Sequence, residues 1–128
     1  MQAGDELDPI CGQGGARARE VLDLVSDKWS LYVVAALGQG PLRFSQARRV
    51  VAGISQRMLT VTLRRLVRDG LVSRTVVPTV PPQVTYALTE TGHSLRSAVQ
   101  PLIEWAFSTV EDIDAARATY DAQVDGQT

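Results

Sequence analysis

The stretch that decides the fold is residues 41–88, PLRFSQARRVVAGISQRMLTVTLRRLVRDGLVSRTVVPTVPPQVTYAL. Its period changes partway along. In the first half, Phe44, Ala47, Val50 and Val51 recur at helical spacing over one short segment. Leu59, Leu63, Leu66 and Val67 do so over a second, longer one, which predicts two amphipathic helices. Ala52-Gly53-Ile54 separates them, and Ser55 can offer its side-chain oxygen to the free N–H groups that open the second helix. Gly70 stands where a helix ends with a glycine. Residues 71–77 and 83–88 then turn to Val, Thr and Tyr, which predicts two strands. Pro78, Pro81 and Pro82 between them remove backbone donors, so residues 78–82 are expected to project as a tip and not to extend a sheet.

Working outward, residues 16–26 space Val21, Leu22, Leu24 and Val25 as a helix. Residues 29–37, WSLYVVAAL, are nearly all apolar and could be a buried strand or a buried helix. Ala35-Ala36-Leu37 favours helix, and an all-round apolar helix is expected to be buried on every side. Downstream, Thr89 caps a helix whose stripe comprises Leu95, Val99, Leu102, Ile103, Ala106, Phe107 and Val110. Pro101 is expected to kink or break it, and the polar end from Asp112 to fray. The expected fold class is mainly α with a small β-hairpin wing. It comprises a flexible N-terminal arm over 1–15, a winged helix-turn-helix domain with dimerisation helices over 16–111, and an acidic tail over 112–128.

A short helix, a tight break and a second amphipathic helix form a unit whose second helix fits the major groove of B-DNA. Charge agrees with that use. Residues 41–75 carry eight arginines and one acid, Asp69, for a local charge of +7, although the chain as a whole is at −1. Solvated helix surfaces usually mix signs, so a one-signed block reads as an electrostatic footprint for a polyanion. On the second helix, Gln56, Arg57, Thr60 and Val61 stand near the N-terminus, the part that reaches base edges. Arg64, Arg65 and Arg68 lie further along, suited to phosphates; Arg43, Ser45, Arg48 and Arg49 precede the helix and suit the backbone, with Arg74 a clamp at the wing base. Ser55 is a cap first and a phosphate contact second. Each arginine taken singly is as readily an ordinary surface residue; the block is the stronger signal. The wing tip is uncharged, so it reads as a shape-fitting probe.

The ordered motifs resemble those of HxlR-type (DUF24) winged helix-turn-helix transcription regulators. They are Leu22-Asp23-Leu24-Val25-Ser26-Asp27-Lys28-Trp29, Gly40-Pro41-Leu42-Arg43-Phe44-Ser45 and Gly53-Ile54-Ser55 with Leu59-Thr60 and Leu63-Arg64. Asp69-Gly70-Leu71-Val72 with Arg74 follows, then Val80-Pro81-Pro82-Gln83-Val84-Thr85-Tyr86-Ala87-Leu88-Thr89 with Gly92. The resemblance covers about residues 16–107. It implies a homodimer paired through the N- and C-terminal helices, often a repressor, bound to double-stranded DNA at a pseudo-palindromic operator. It also implies wing contacts at Thr79, Val80, Pro81 and Pro82, and a response to redox, electrophile or small-molecule signals. Many members place a sensing Cys-Pro about thirteen residues before the tryptophan of Lys-Trp. Here Ala16 holds that place and Cys11, followed by Gly12, stands five residues earlier. Cys11 is therefore either a redox sensor able to bridge two subunits or an inert exposed thiol. Trp29, Tyr32, Trp105 and Phe107 are read as core and dimer-seam residues, with the alternative that they line an effector pocket.

Other classes find little support. One histidine, His93, and one cysteine make no metal cluster, and no cofactor, nucleophile–base pair or phosphate loop is recognisable, so no enzyme is expected. No apolar run is long enough to span a membrane, the acidic start is unlike a secretory signal, and a lone cysteine suits a reducing cytoplasm. The alternative reading is a winged-helix protein-interaction module that binds no DNA.

Overall fold

The computed structural model describes residues 15–126; Cys11 and the arm before Gly15 lie outside them. The described chain forms five helices and three short strands. They are α1 (Ala16–Val25), α2 (Lys28–Leu37), β1 (Leu42–Arg43), α3 (Phe44–Val50), α4 (Gln56–Arg68), β2 (Val72–Val77), β3 (Gln83–Leu88) and α5 (Glu90–Gly126). The helix-turn-helix pair is thus α3 and α4, and β2–β3 is the wing. Ser55 caps α4 as its sequence suggests, accepting a hydrogen bond from the Met58 N–H at 3.0 Å. Gly53, in the turn before α4, and Gly70, just after it, take left-handed φ values of 84° and 76°, conformations that a side chain would strain.

One core holds the elements together. Val33, Val34 and Leu37 of α2 pack with Ala47, Val51 and Ile54 around the turn, with Leu59, Leu63 and Leu66 of α4, and with Leu71, Val72 and Leu88 at the wing base. Removing a leucine from such a site costs about 2–5 kcal/mol, because the lost contact area and the cavity left behind add together. The ambiguous segment 29–37 is helix, but its burial is one-sided. Tyr32 is 51% exposed, so α2 turns one edge of its apolar surface outward. Thr62, unremarked in the sequence, is fully buried on the core side of α4, while Val50 of α3 is exposed.

Three further differences have local causes. Leu42–Arg43 adds a third strand, pairing antiparallel with β3 at Leu42↔Tyr86 and Arg43↔Thr85, in the sheet order β1-β3-β2. Two residues carry too little pattern to reveal a strand; the pairing is imposed by β3. Second, α5 runs without interruption through Pro101. The expected break is corrected: the carbonyl that loses its donor belongs to exposed Ser97, where water can replace the bond. Third, residues 112–126 are helical, not frayed, in keeping with the strong helix formers Ala115, Ala116, Ala118 and Ala122.

The base of the wing is locked to α5. Thr89 Oγ1 donates to the Gly70 carbonyl and accepts from the Gly92 N–H at 3.1 Å, capping α5 while holding the end of α4. A Cβ on Gly92 would lie 2.0 Å from the Leu71 carbonyl oxygen, so only glycine permits this approach. These contacts tie the end of α4 and the base of the wing to the start of the long helix.

Candidate nucleic-acid interface

Helix α4 divides its surface cleanly. Leu59, Thr62, Leu63 and Leu66 are buried, and since successive residues turn by about 100°, Arg57, Val61, Arg64 and Arg68 fall opposite them. All four are exposed. Gln56 and Thr60 lie on the flank toward α3 and the wing. The Thr60 hydroxyl donates to the Gln56 carbonyl at 2.9 Å, which fixes its rotamer and leaves its oxygen free to accept. Gln56, Arg57, Thr60, Val61 and Arg64 together line one shallow concavity of about 490 Å³. Four of them, Gln56, Arg57, Thr60 and Val61, are the residues expected from the sequence to reach base edges, and Arg64 is the one expected at phosphate.

Two neighbouring concavities extend it. Ser45, Arg48 and Arg49 of α3 join Phe44 and Gln56 around a depression of about 680 Å³. On the other side Arg64 of α4 and Arg74 of β2 share a groove of about 400 Å³ with Phe44, Thr60, Val67 and Tyr86. Its floor was not anticipated. Tyr86 is the direct cross-strand partner of Arg74, and this register brings the wing arginine up to the reading helix. Pattern-reading located both strands but not the residue that floors the groove between them.

Arg65 is placed differently from its neighbours. It sits half-buried on the opposite flank, 3.9 Å from the Asp27 carboxylate. Asp27 is itself the N-cap of α2, accepting from the Ser30 N–H at 3.3 Å. One carboxylate thus links the start of α2 to the last turn of α4. Arg43 is exposed at the entry to α3, with its backbone N–H donating to Gln46 Oε1 at 2.8 Å. Arg68 is exposed at the far end of α4. At the wing tip Thr79, Val80, Pro81 and Pro82 are all exposed, and the tip is stiffened by the Thr79 hydroxyl donating to the Pro81 carbonyl at 2.7 Å.

The four aromatic residues do not form one group. Trp29 and Tyr32 meet edge to face at 5.7 Å on α2, with the Lys28 ammonium 4.8 Å from the Trp29 ring centroid. Trp105 and Phe107 are both exposed on α5 and, two residues apart, point to opposite flanks of it. The apolar cleft of about 520 Å³ found elsewhere lies between α1 and α5, lined by Val21, Leu22, Val25, Leu71, Leu95 and Ala98, and includes none of the four. Among the described residues no group of His, Cys, Asp and Glu could hold a metal ion, and no helix is long and apolar enough to cross a membrane.

Residues 24–114 match the family model described as HxlR-like helix-turn-helix. The chain is 37% identical over 100 residues to a protein named only as an HTH-type transcriptional regulator, YtfH, from Escherichia coli, covering 78% of this chain and 79% of that one. A second such regulator, YdeP of Bacillus subtilis, is 36% identical over 109 residues, 85% of each chain. Solved structures agree. A protein from Salmonella typhimurium named as a transcriptional regulator, YtfH, superposes with TM-score 0.73 at 37% identity over 79% of this chain and 90% of its own. The redox regulator HypR in its reduced form gives TM-score 0.72 at 37% identity over 78% and 99%.

Proposed function

This chain belongs to the HxlR-like helix-turn-helix family of DNA-binding transcription regulators, and from that premise we propose that it is a homodimeric repressor that inserts α4 into each half-site of a pseudo-palindromic operator. The observation that carries this reading is the clean division of α4, with a fully buried apolar side and an exposed side bearing Arg57, Arg64 and Arg68. Gln56, Arg57, Thr60 and Val61 reach base edges. Arginine can pair bidentately with guanine and glutamine with adenine, while Val61 offers an apolar contact for a thymine methyl. Ser45, Arg48 and Arg49 hold the phosphates on one side of the groove, and Arg64 and Arg74 those beside the wing, with Arg43, Ser55 and Arg68 at the margins. Arg65, held by Asp27, braces α4 against α2. The uncharged wing tip at Thr79–Pro82 fits the groove by shape.

A regulator of this class answers a signal, and the structurally similar HypR is named a redox regulator. Cys11, the only thiol of the chain, is the residue through which oxidation could act here. The function is tested by selecting bound sequences from a random DNA pool and titrating the recovered site with salt. Sequence-selective binding that weakens steeply with salt supports it; no preference for any duplex would leave a protein-interaction module instead.

A further inference from the structure

The outer half of the wing differs in kind from the arginine-bearing surface of α3 and α4. No charged residue stands between Arg74 and Glu90. Val76, Val77 and Val80 are exposed, Val80 completely, beside exposed Pro78, Pro81 and Pro82. The tip is also poor in hydrogen-bond donors. Across residues 78–82 the three prolines have no N–H. The Thr79 N–H donates to the Val77 carbonyl at 2.8 Å, and its hydroxyl donates to the Pro81 carbonyl at 2.7 Å. That leaves the Val80 N–H. Phosphates and the A·T edges of the minor groove present acceptors, which call for donors or cations. A tip with one free donor and no charge gains little from either.

Its position says what else it meets. Arg64 and Arg74 share one groove at the wing base, which suits a phosphate ridge. From the Arg74↔Tyr86 pair the strands continue to Val77↔Gln83, about 10 Å at the usual strand rise, before the tip begins. The tip thus passes beyond that ridge to the adjoining minor groove. The groove is about 6 Å wide, and two strands with backbones about 4.8 Å apart do not fit inside it with their side chains. The apolar side chains of the tip do. Apolar surface in DNA lies on the faces of the bases, and a kinked step uncovers it.

We propose that Val80, backed by Pro81 and Pro82, is an apolar wedge that opens one base step from the minor groove, about half a helical turn from the bases under α4. The inference rests on the DNA-binding reading and goes beyond a fit by shape, because it gives the wing a preferred DNA. Pyrimidine–purine steps such as TA unstack easily, whereas A-tracts are stiff and their narrow groove attracts inserted cations, which this tip lacks. Operators therefore carry a flexible step at the wing position, and the duplex bends there toward the major groove. The hydrogen bond from Thr79 to Pro81 keeps the wedge in shape before DNA arrives.

The test uses the full chain and the duplex recovered by selection from a random pool. The bases under α4 are kept, and the flanking step about 5 bp away is written as TA or as AA. The intact protein is expected to bind the TA duplex about tenfold more tightly. Val80→Ala should still bind both duplexes, with the preference reduced to about twofold or less, and Val80→Arg should favour AA. Val80 is fully exposed, so neither variant disturbs the core. With 2-aminopurine as the adenine of the TA step, fluorescence should rise when the intact protein binds and stay low with Val80→Ala. Equal affinity of the intact protein for TA and AA, or a preference and a fluorescence rise that survive Val80→Ala, overturns the wedge and leaves the DNA reading in place. A protein that prefers no duplex at all overturns the DNA reading itself, and the wedge with it.

Discussion

Helices α4 and α5 are both amphipathic, and the fold treats them in opposite ways. In α4 the apolar side is consumed by the protein's own core and the charged side is left to solvent. In α5 only the N-terminal portion packs on the core, and the apolar stripe continues outward with acids around it. Arginine without acids suits a polyanion; alternating Val, Ile and Tyr ringed by Asp and Glu suits another protein helix.

The largest expected effect comes from matching aliphatic truncations on the two helices. Leu63→Ala on the buried side of α4 is expected to lower unfolding stability by about 2–5 kcal/mol at any protein concentration. Ile113→Ala on the exposed stretch of α5 is expected to leave single-chain stability within about 0.5 kcal/mol, any loss appearing only at concentrations where two copies associate. Thermal melts over a hundredfold dilution range separate the two. Similar concentration-independent losses for both would erase the contrast.

A smaller effect divides α4 internally. Arg57→Ala is expected to cost about 1–3 kcal/mol of operator binding and to relax base preference. Arg68→Ala should weaken matched and scrambled sites alike, as loss of a phosphate contact does. Mobility-shift titrations on both site types measure this, and equal sequence-blind losses would remove Arg57 from base reading.

The smallest concerns the brace between α2 and α4. Asp27→Asn is expected to cost under about 1 kcal/mol, because the Asp27–Arg65 pair is partly exposed and spans 3.9 Å. A double-mutant cycle with Arg65→Gln gives the coupling, and a value near zero would reduce the pair to coincidence.

What the sequence discloses follows the same divide. Helix α4 was legible in detail because cap, apolar spacing and terminal glycine all act within one segment: Ser55, Leu59, Leu63, Leu66 and Gly70. The wing was legible from its Val, Thr and Tyr content and its prolines. The third strand was not, since Leu42–Arg43 becomes a strand only against β3. Nor were Tyr86 as the floor of the wing groove, buried Thr62, or Asp27 as the partner of Arg65, all of which depend on contacts distant in sequence. Pro101 misled in the other direction. Its local rule assumes that the lost hydrogen bond has no substitute, and at an exposed turn it has one. Tyr32 shows the limit of apolar content as a guide to burial, because it stands 51% exposed on a helix whose neighbours Val33 and Val34 are buried.

The most direct test of the central claim is the salt dependence of operator binding by the intact protein. If the exposed arginines of α3 and α4 hold phosphates, the logarithm of affinity falls linearly and steeply with the logarithm of salt concentration. Arg64→Ala should then make that slope shallower by about one. A slope near zero, or one unchanged by removing Arg64, would contradict the account.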